Sequence, residues 1–287
     1  MNSKRFRYAY EIDLEADSTP NKVLDLVGEN KKVLELGCGP GHMSKVLTKH
    51  LGCQVRGIEI DPEAAKAARD FCRDVTVCNL DETDLRRLFK NGQFDVIIAA
   101  DILEHLKTPE RTLVQCKHLL RQDGYLVISI PNASHVGIVA NLMSAQFPYS
   151  DIGLLDRTHL RFFTGPSFRS LLRETGYLID KWLTHKVPVE HTEFKRVFHS
   201  LPGPIRKYLI KSPDGLVYQF IIKAQPAPNH ESDSLAVRLD KEVEQQIKER
   251  DLWLENSYFK GLSCDRLNKK EHTSLFMRLF QLLIKKK

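Results

Sequence analysis

Short apolar runs alternate with longer amphipathic stretches between residues 31 and 223. The runs are rich in β-branched residues, whereas the stretches between them place apolar side chains every three or four positions. This alternation predicts strands followed by helices, as in an α/β protein whose mostly parallel sheet is covered on both faces. The predicted strands are residues 33–36, 54–60, 75–78, 94–99, 125–130, 177–184 and 216–223. Predicted helices begin near Gly41, Pro62, Asp84, Thr108 and Pro166.

The alternation of strands and helices stops towards both ends of the chain, which predicts that the chain has three parts. Residues 1–30 form an N-terminal helical segment, and Tyr8 and Tyr10 within it are expected to belong to a lid. Residues 31–225 form the α/β domain. Residues 226–287 begin with a Pro- and Asn-containing linker and continue as an amphipathic helical tail.

The tail repeats apolar residues every four positions, at Leu235, Leu239, Val243 and Ile247. This spacing predicts a helix with one apolar seam, which packs on its own domain or on a partner, including a second copy of the chain. Residues 274–287 combine apolar and cationic side chains, as do helices that lie on an anionic membrane surface. Covering an apolar patch and joining a dimer interface remain alternatives for this segment.

Composition restricts the class of protein. The 287 residues are 42% hydrophobic and 28% charged, with a formal net charge of +6, which argues against a disordered chain and a multi-span membrane protein. The basic excess is too small to call for a nucleic-acid partner. Six cysteines occur without a C-x-x-C pair, and the first residues contain no apolar run of signal-peptide length. We therefore expect reduced thiols and a cytoplasmic protein.

The most informative motif follows the first predicted strand and reads E-L-G-C-G-P-G at residues 35–41. Gly37, Gly39 and Gly41 allow a tight turn and close approach of a ligand to the backbone, and Cys38 lies between the first two. The next helix offers free N–H groups. The spacing differs from the G-x-G-x-x-G diphosphate fingerprint. Glu35 would repel a diphosphate and attract a cationic amino group.

Polar residues also follow the next three strands. Glu59, with Ile60 beside it, ends the second strand about 20 residues after the glycines, where an acid accepts bonds from ribose hydroxyls. After the third strand, Leu80 can donate its backbone N–H to an adenine nitrogen, and Asp81 can accept from the exocyclic amine. Capping of the next helix is the alternative for Asp81.

Four motifs together carry a family resemblance: residues 35–41, G-I-E-I-D at 57–61, N-L-D at 79–81, and F-D-V-I-I-A-A-D-I-L-E-H-L at 94–106. They resemble class I S-adenosylmethionine-dependent methyltransferases, most closely the small-molecule O-methyltransferases that include ubiquinone-type enzymes and bacterial members from polysaccharide loci. The resemblance implies a Rossmann-like, seven-stranded, mostly parallel sheet with an antiparallel last strand, here followed by the helical extension. It implies S-adenosylmethionine as cofactor and S-adenosylhomocysteine as product.

By this resemblance, Glu35 and the glycine loop hold the methionine portion of the donor. Glu59 binds the ribose, and Leu80 and Asp81 bind the adenine. Asp101 and Ile102, after the fourth strand, line the methyl-donor cleft.

Methyl transfer to a hydroxyl needs in-line alignment and a base. His159 is the favoured base, with Asp156 as its partner, and His105 is the alternative. His135 lies in the same region and remains open. No metal is expected, because we find no ligand cluster with convincing sequence spacing.

The segment 131–164 is expected to build the acceptor pocket. Arg157 or Arg161 can hold a phosphate or carboxylate on the acceptor. Candidate wall residues are Phe147, Tyr149, Phe162 and Phe163. The predicted partner is a small-molecule acceptor, and the predicted reaction is methylation of its hydroxyl, possible acceptors being a sugar or a glycan or glycolipid precursor. The alternatives are N- or C-methylation, a non-catalytic donor-binding subunit acting through the tail, and a nicotinamide-dependent oxidoreductase.

Overall fold

A computed structural model describes residues 11–89 and 92–228. They lie within the first of the chain's two units, Met1–Leu239. The predicted helical tail, its roles in self-association or membrane contact, and the two lid tyrosines lie outside the described residues. Within the described ranges no helix has the length and apolar character that a membrane crossing requires.

Seven strands form one sheet in the order β3-β2-β1-β4-β5-β7-β6. The strands are β1 (Lys32–Leu36), β2 (Gln54–Glu59), β3 (Asp74–Val77), β4 (Phe94–Ala100), β5 (Leu120–Pro131), β6 (Tyr177–Lys186) and β7 (Val217–Pro226). Strands β1 to β5 pair in parallel, and β7 runs antiparallel to both β5 and β6. The predicted Rossmann-like sheet with its antiparallel last strand is confirmed.

Nine α-helices connect or cover the described strands. They are α1 (Thr19–Val27), α2 (His42–Lys49), α3 (Pro62–Ala68), α4 (Leu85–Leu88), α5 (Pro109–Leu119), α6 (Val136–Met143), α7 (Gly165–Glu174), α8 (Lys195–Ser200) and α9 (Gly203–Lys211). Asp61 caps α3, because its side chain accepts a hydrogen bond from the N–H of Glu63 at 2.9 Å. This bond fixes the start of α3 directly after β2.

The period-two alternation of the strands separates two cores, one on each face of the sheet. Leu34 and Leu36 of β1 are buried in the core that contains α5 and α7. Val33 points to the opposite core, where it meets Val23 and Val27 of α1. Residues 19–27 of the predicted lid segment are therefore a fixed part of the core.

The order of the strands determines where a ligand can bind. From β1 the chain goes first to β2 and β3 on one side and then crosses to β4 on the other. Helices of the two halves consequently leave the sheet on opposite faces, which opens a crevice at the carboxyl ends of β1 and β4. The motifs at residues 35–41 and 101–105 lie on either side of this crevice.

Candidate active site

The loop after β1 adopts a left-handed backbone at each of its three glycines, with φ values of 67° at Gly37, 53° at Gly39 and 87° at Gly41. A Cβ on Gly37 would lie 2.6 Å from the Ile102 side chain, and one on Gly41 would lie 2.9 Å from the Cα of Ala68. A Cβ on Gly39 would meet nothing within 4 Å. Two glycines are therefore required for packing, whereas Gly39 borders open space.

Glu59 is fixed to this loop by backbone donors. Its Oε2 accepts a hydrogen bond from the N–H of Gly39 at 2.8 Å. Its Oε1 accepts from the N–H groups of Ile60 and Asp61, both at 2.9 Å. With two bonds on Oε1, the remaining acceptor capacity of the carboxylate is on Oε2, beside the loop.

Glu35 lies beneath the same loop and is almost completely buried. Burial raises the pKa of its carboxyl to about 8, although a hydrogen bond from the Ser44 hydroxyl opposes the shift. A cationic group above this carboxyl would favour its ionised form.

The Asp81 carboxylate binds backbone N–H groups just before α5. Its carboxylate accepts hydrogen bonds from the N–H of Lys107 at 3.0 and 3.1 Å and of Thr108 at 3.2 Å. It thereby fixes the turn before α5 and does not cap the next helix along the chain, which is capped by Asp84. Leu80 beside it is buried.

Asp101 closes the crevice on the β4 side in a left-handed conformation, with φ of 49°. Its Oδ1 accepts bonds from Gln219 Nε2 at 2.7 Å and from the Ser129 hydroxyl at 3.0 Å. The Thr19 hydroxyl in turn donates to Gln219 Oε1 at 2.6 Å. Asp101 has solvent access, yet the surrounding protein desolvates it enough to raise the pKa of its carboxyl. The left-handed backbone of Asp101 is strained for a residue other than glycine, and strain of this kind in a cleft is typical of a functional position.

These features fit the donor predicted from the motifs. The open space over Gly39 is the room that a ligand needs at the loop. The side chain of Ile60 is 63% exposed at the end of β2, beside this loop. Acidic side chains at the ends of β1, β2 and β4 suit a cationic sulfonium and ammonium compound better than a diphosphate.

A second cluster follows Asp101 directly. Ligand atoms of Glu104, His105 and His159 lie within 4.8 Å of one another. His159 Nε2 is 4.0 Å from Glu104 Oε1, and both side chains are buried. Burial raises the pKa of the Glu104 carboxyl well above its usual range, and neither of its oxygens has a hydrogen-bond partner within the described part of the chain. One carboxylate and two imidazoles can share a proton, and they are also ligands that divalent metals accept.

Asp156 joins this cluster through a threonine. Its Oδ1 accepts bonds from the Thr158 N–H at 2.8 Å and the Thr158 hydroxyl at 2.7 Å. That hydroxyl lies 3.1 Å from His105 Nδ1. The structure therefore brings the three predicted catalytic residues together, with Asp156 connected to His105 by way of Thr158.

The two arginines proposed for an acceptor anion have partners of their own. Arg157 pairs with Asp151 at 2.8 Å on the surface. Arg161 donates from Nη2 and Nε to the Lys107 carbonyl at 2.5 and 3.2 Å.

His135 does not join the cluster. It is fully buried, and its Nδ1 accepts a hydrogen bond from the Gly137 N–H at the start of α6. Burial lowers the pKa of its imidazole to about 4, so the ring is neutral and acts as a helix cap.

Aromatic rings lead from the surface to the cluster. Phe147 contacts Tyr149 and Phe162, with ring centroids 5.4 and 5.6 Å apart, and Phe162 lies 6.3 Å from His159. Phe163, by contrast, packs against Phe168 beside the core. Tyr149 also lines a groove of about 590 Å³, together with residues of α6, α8 and the loops beside them.

Sequence reasoning missed Glu104, Ser129 and Gln219. Glu104 stood in the family motif beside His105 without being assigned a role. Ser129 and Gln219 lie on β5 and β7, 28 and 118 residues from Asp101. Only the pairing of β7 with β5 brings Gln219 to the crevice.

Residues 8–181, more than half of the chain, match the family described as a methyltransferase domain. A ubiquinone biosynthesis O-methyltransferase of Coxiella burnetii (strain Dugway 5J108-111) is 28% identical over 124 residues, which is 42% of this chain and 53% of that protein. One from Glaesserella parasuis serovar 5 (strain SH0165) is 31% identical over 124 residues, 41% and 52% of the two chains. The chain thus spans about half the length of the curated relatives it matches.

Solved structures agree on the fold. A candidate methyltransferase from Bacillus halodurans C-125 superposes with a TM-score of 0.52 at 16% identity, covering 73% of this chain and 99% of that one. The [4+2]-cyclase SpnF superposes with a TM-score of 0.50 at 16% identity, covering 76% and 86%. At these identities the likeness shows the fold alone, and the fold by itself does not determine a reaction.

Proposed function

The chain belongs to the methyltransferase domain family, with the class I S-adenosylmethionine-dependent fold, and from that premise we propose that it methylates a hydroxyl of a small molecule. The observation that carries the proposal is the cluster of Glu104, His105 and His159, which begins three residues after Asp101 in the donor crevice. It provides a proton acceptor where the fold binds its methyl donor.

The donor side is assigned to the glycine loop. Glu59 and the loop hold the ribose end, and Glu35 favours the cationic amino group. The donor, S-adenosylmethionine, supplies a methyl group that its sulfonium already activates. The chain's own tasks are therefore to align the acceptor, exclude water and remove a proton.

His159 is the proposed base, with Glu104 as its charge partner. Its Nδ1 lies 3.3 Å from the Leu154 carbonyl, which favours hydrogen on Nδ1 and a lone pair on Nε2. Nε2 takes the hydroxyl proton, and the Glu104 carboxylate 4.0 Å away stabilises the imidazolium. The pair accepts the proton as a unit, because two groups this close titrate together.

We also propose an acceptor with an apolar portion next to its hydroxyl. Seven of the thirteen large apolar side chains exposed in the described residues lie between positions 142 and 162. Concentrated apolar surface of this kind marks a binding region. A polyprenylated phenol, by analogy with the ubiquinone-pathway relatives, and a glycolipid precursor both combine the required groups.

The first test is turnover with methyl-labelled S-adenosylmethionine and a panel of phenols and glycolipid precursors with and without apolar chains. We expect labelled O-methyl ether only from acceptors that carry the chain. Label on nitrogen or carbon would refute hydroxyl chemistry. If the protein binds S-adenosylhomocysteine but methylates no class of acceptor in the panel, the result would favour a non-catalytic subunit.

The His159→Asn variant tests the base. We expect kcat to fall by about 10²–10⁴-fold, the usual contribution of a positioned base. The affinity for S-adenosylhomocysteine should not change. His118→Asn, at an exposed histidine on α5, is the matched control and should retain full activity.

The Glu104→Gln variant tests whether His159 acts together with Glu104 or alone. Without the carboxylate, the rising limb of the pH–rate profile should move to lower pH and reach a lower plateau, because the imidazolium loses its stabilising charge. A profile that matches the wild type would remove Glu104 from the mechanism. Equal activity of His159→Asn and wild type would remove His159.

A further inference from the structure

We propose that Cys38 and Cys72 form an oxidation site beneath the glycine loop, where a disulfide between them blocks donor binding. The functional consequence rests on the proposed donor site, whereas formation of the disulfide does not. Cys38 is part of the loop, and Cys72 lies four residues after α3.

The two sulfur atoms converge on one point of the sheet. A Cβ on Gly57 of β2 would lie 2.6 Å from Cys38 Sγ and 3.5 Å from Cys72 Sγ. A glycine at this position therefore leaves the two thiols the space to meet. Both residues are free thiols that retain a small exposed surface, 5% for Cys38 and 7% for Cys72.

The surroundings make the two thiols chemically unequal. The Cys72 thiol donates a hydrogen bond to the Ser44 hydroxyl at 3.1 Å, and that hydroxyl donates in turn to Glu35. A hydrogen bond from Cys38 lowers the pKa of the Cys72 thiol, and the same bond raises that of Cys38. Cys72 is consequently the thiolate that attacks, and Cys38 is the thiol that resolves.

The oxidant is a peroxide. The Cys72 thiolate attacks one oxygen of hydrogen peroxide, the O–O bond breaks, and the hydroxide that leaves takes a proton to form water. The product is a sulfenic acid on Cys72. The Cys38 sulfur then attacks the sulfenic sulfur, the S–O bond breaks, and the S–S bond forms as a second water leaves with the Cys38 proton. Two thiols lose two electrons, and one peroxide gains them.

The disulfide distorts the glycine loop because two backbone hydrogen bonds hold Cys38 within it. Its N–H donates to the Ile58 carbonyl at 2.9 Å, and its own carbonyl accepts from the Gly41 N–H at 3.0 Å. An S–S bond of about 2.05 Å requires the two side chains to approach and rotate. The loop has little space to yield, since Gly41 already lies against Ala68. Moving Cys38 therefore displaces the neighbouring Gly39 N–H from Glu59.

The experiment titrates S-adenosylhomocysteine into the full chain by calorimetry, after reduction and after treatment with hydrogen peroxide. Oxidised wild type should bind at least tenfold more weakly than reduced wild type, and a dithiol reductant should restore binding. Cys72→Ala should bind equally before and after peroxide. Cys116→Ala removes a buried core thiol instead, and it should lose binding on oxidation as the wild type does.

Peptide mapping without reductant shows whether Cys38 and Cys72 are cross-linked, and this measurement needs no ligand. The proposal requires a cross-linked peptide containing Cys38 and Cys72, absent from Cys72→Ala. A different cross-link, or none after peroxide, would overturn it, and so would undiminished binding by cross-linked protein. If the reduced wild type fails to bind S-adenosylhomocysteine, the proposed donor site is wrong, and so is the claim that the disulfide blocks it. The peptide map would still show whether the disulfide forms.

Discussion

Carboxyl groups that the protein desolvates define the chemistry of this crevice at the scale of single residues. Desolvation raises the pKa of Glu35, Asp101 and Glu104, all of which lie in or just after the first and fourth strands. A carboxylate that is costly to ionise becomes favourable once a cation is bound beside it. The site is thus suited to a ligand that brings positive charge, as a sulfonium with an amino group does.

Glu35 makes donor affinity dependent on pH. Its pKa of about 8 is above the value of an unfolded chain, so the unliganded protein loses stability from this group as pH rises from about 4.5 to 8. A bound ammonium group favours the ionised carboxyl, so binding releases a proton below pH 8. We expect the Kd for S-adenosylhomocysteine to fall as pH rises from 6 to about 8 and then to level off. Calorimetry in buffers of different ionisation enthalpy measures the released proton, and Glu35→Gln should remove it. A Kd of the wild type that is constant across this range would contradict the role of Glu35.

Glu59 is expected to contribute directly to donor affinity. Hydrogen bonds to a charged group contribute about 1.5–3 kcal/mol each, so Glu59→Ala should raise the Kd for S-adenosylhomocysteine by about tenfold to a hundredfold. The variant also loses the three hydrogen bonds that Glu59 accepts from backbone N–H groups, so the melting temperature should fall while the fold is retained. Asp70→Ala, at an exposed acid after α3, is the matched control. Unchanged affinity in Glu59→Ala would refute the ribose assignment.

Secondary-structure elements show where pattern reasoning succeeds and where it fails. Predicted and observed helix starts agree within one residue at α3, α5 and α7, because a proline or a cap marks each. Helix α6 was not predicted, since V-G-I-V-A-N-L-M is apolar on nearly every side and shows no helical period. Strand β5 begins five residues earlier than predicted, in the polar stretch before Tyr125.

Alanine substitutions at Gly39 and Gly41 form a matched pair that tests the glycine loop as a structural element. Gly39→Ala adds a Cβ in open space, so it should cost only about 1–2 kcal/mol for the left-handed backbone but weaken donor binding strongly. Gly41→Ala adds the same backbone strain and a clash with Ala68, and it should cost about 2–5 kcal/mol. Chemical unfolding and donor titration of both variants measure the difference. A Gly39→Ala protein that binds donor normally would contradict this arrangement.

For the whole molecule, the sheet and the donor loop were predictable because their signals are local. Each strand-end motif is a short continuous run of the sequence, and the crossover from β1 to β4 follows from the parallel order. The contact of Glu104 with His159 and that of Asp101 with Gln219 join residues 55 and 118 positions apart. Such pairs depend on loop packing and on the pairing of β7, which no local pattern encodes.

The most direct test of the central claim is a crystal structure of the protein with S-adenosylhomocysteine. The account predicts the nucleoside over residues 37–41, with its ribose hydroxyls on Glu59 and its amino group toward Glu35. The sulfur should face the side of the crevice that holds Asp101 and His159. Density for the ligand at any other place, or a crystal that takes up NAD at this loop instead, would contradict it.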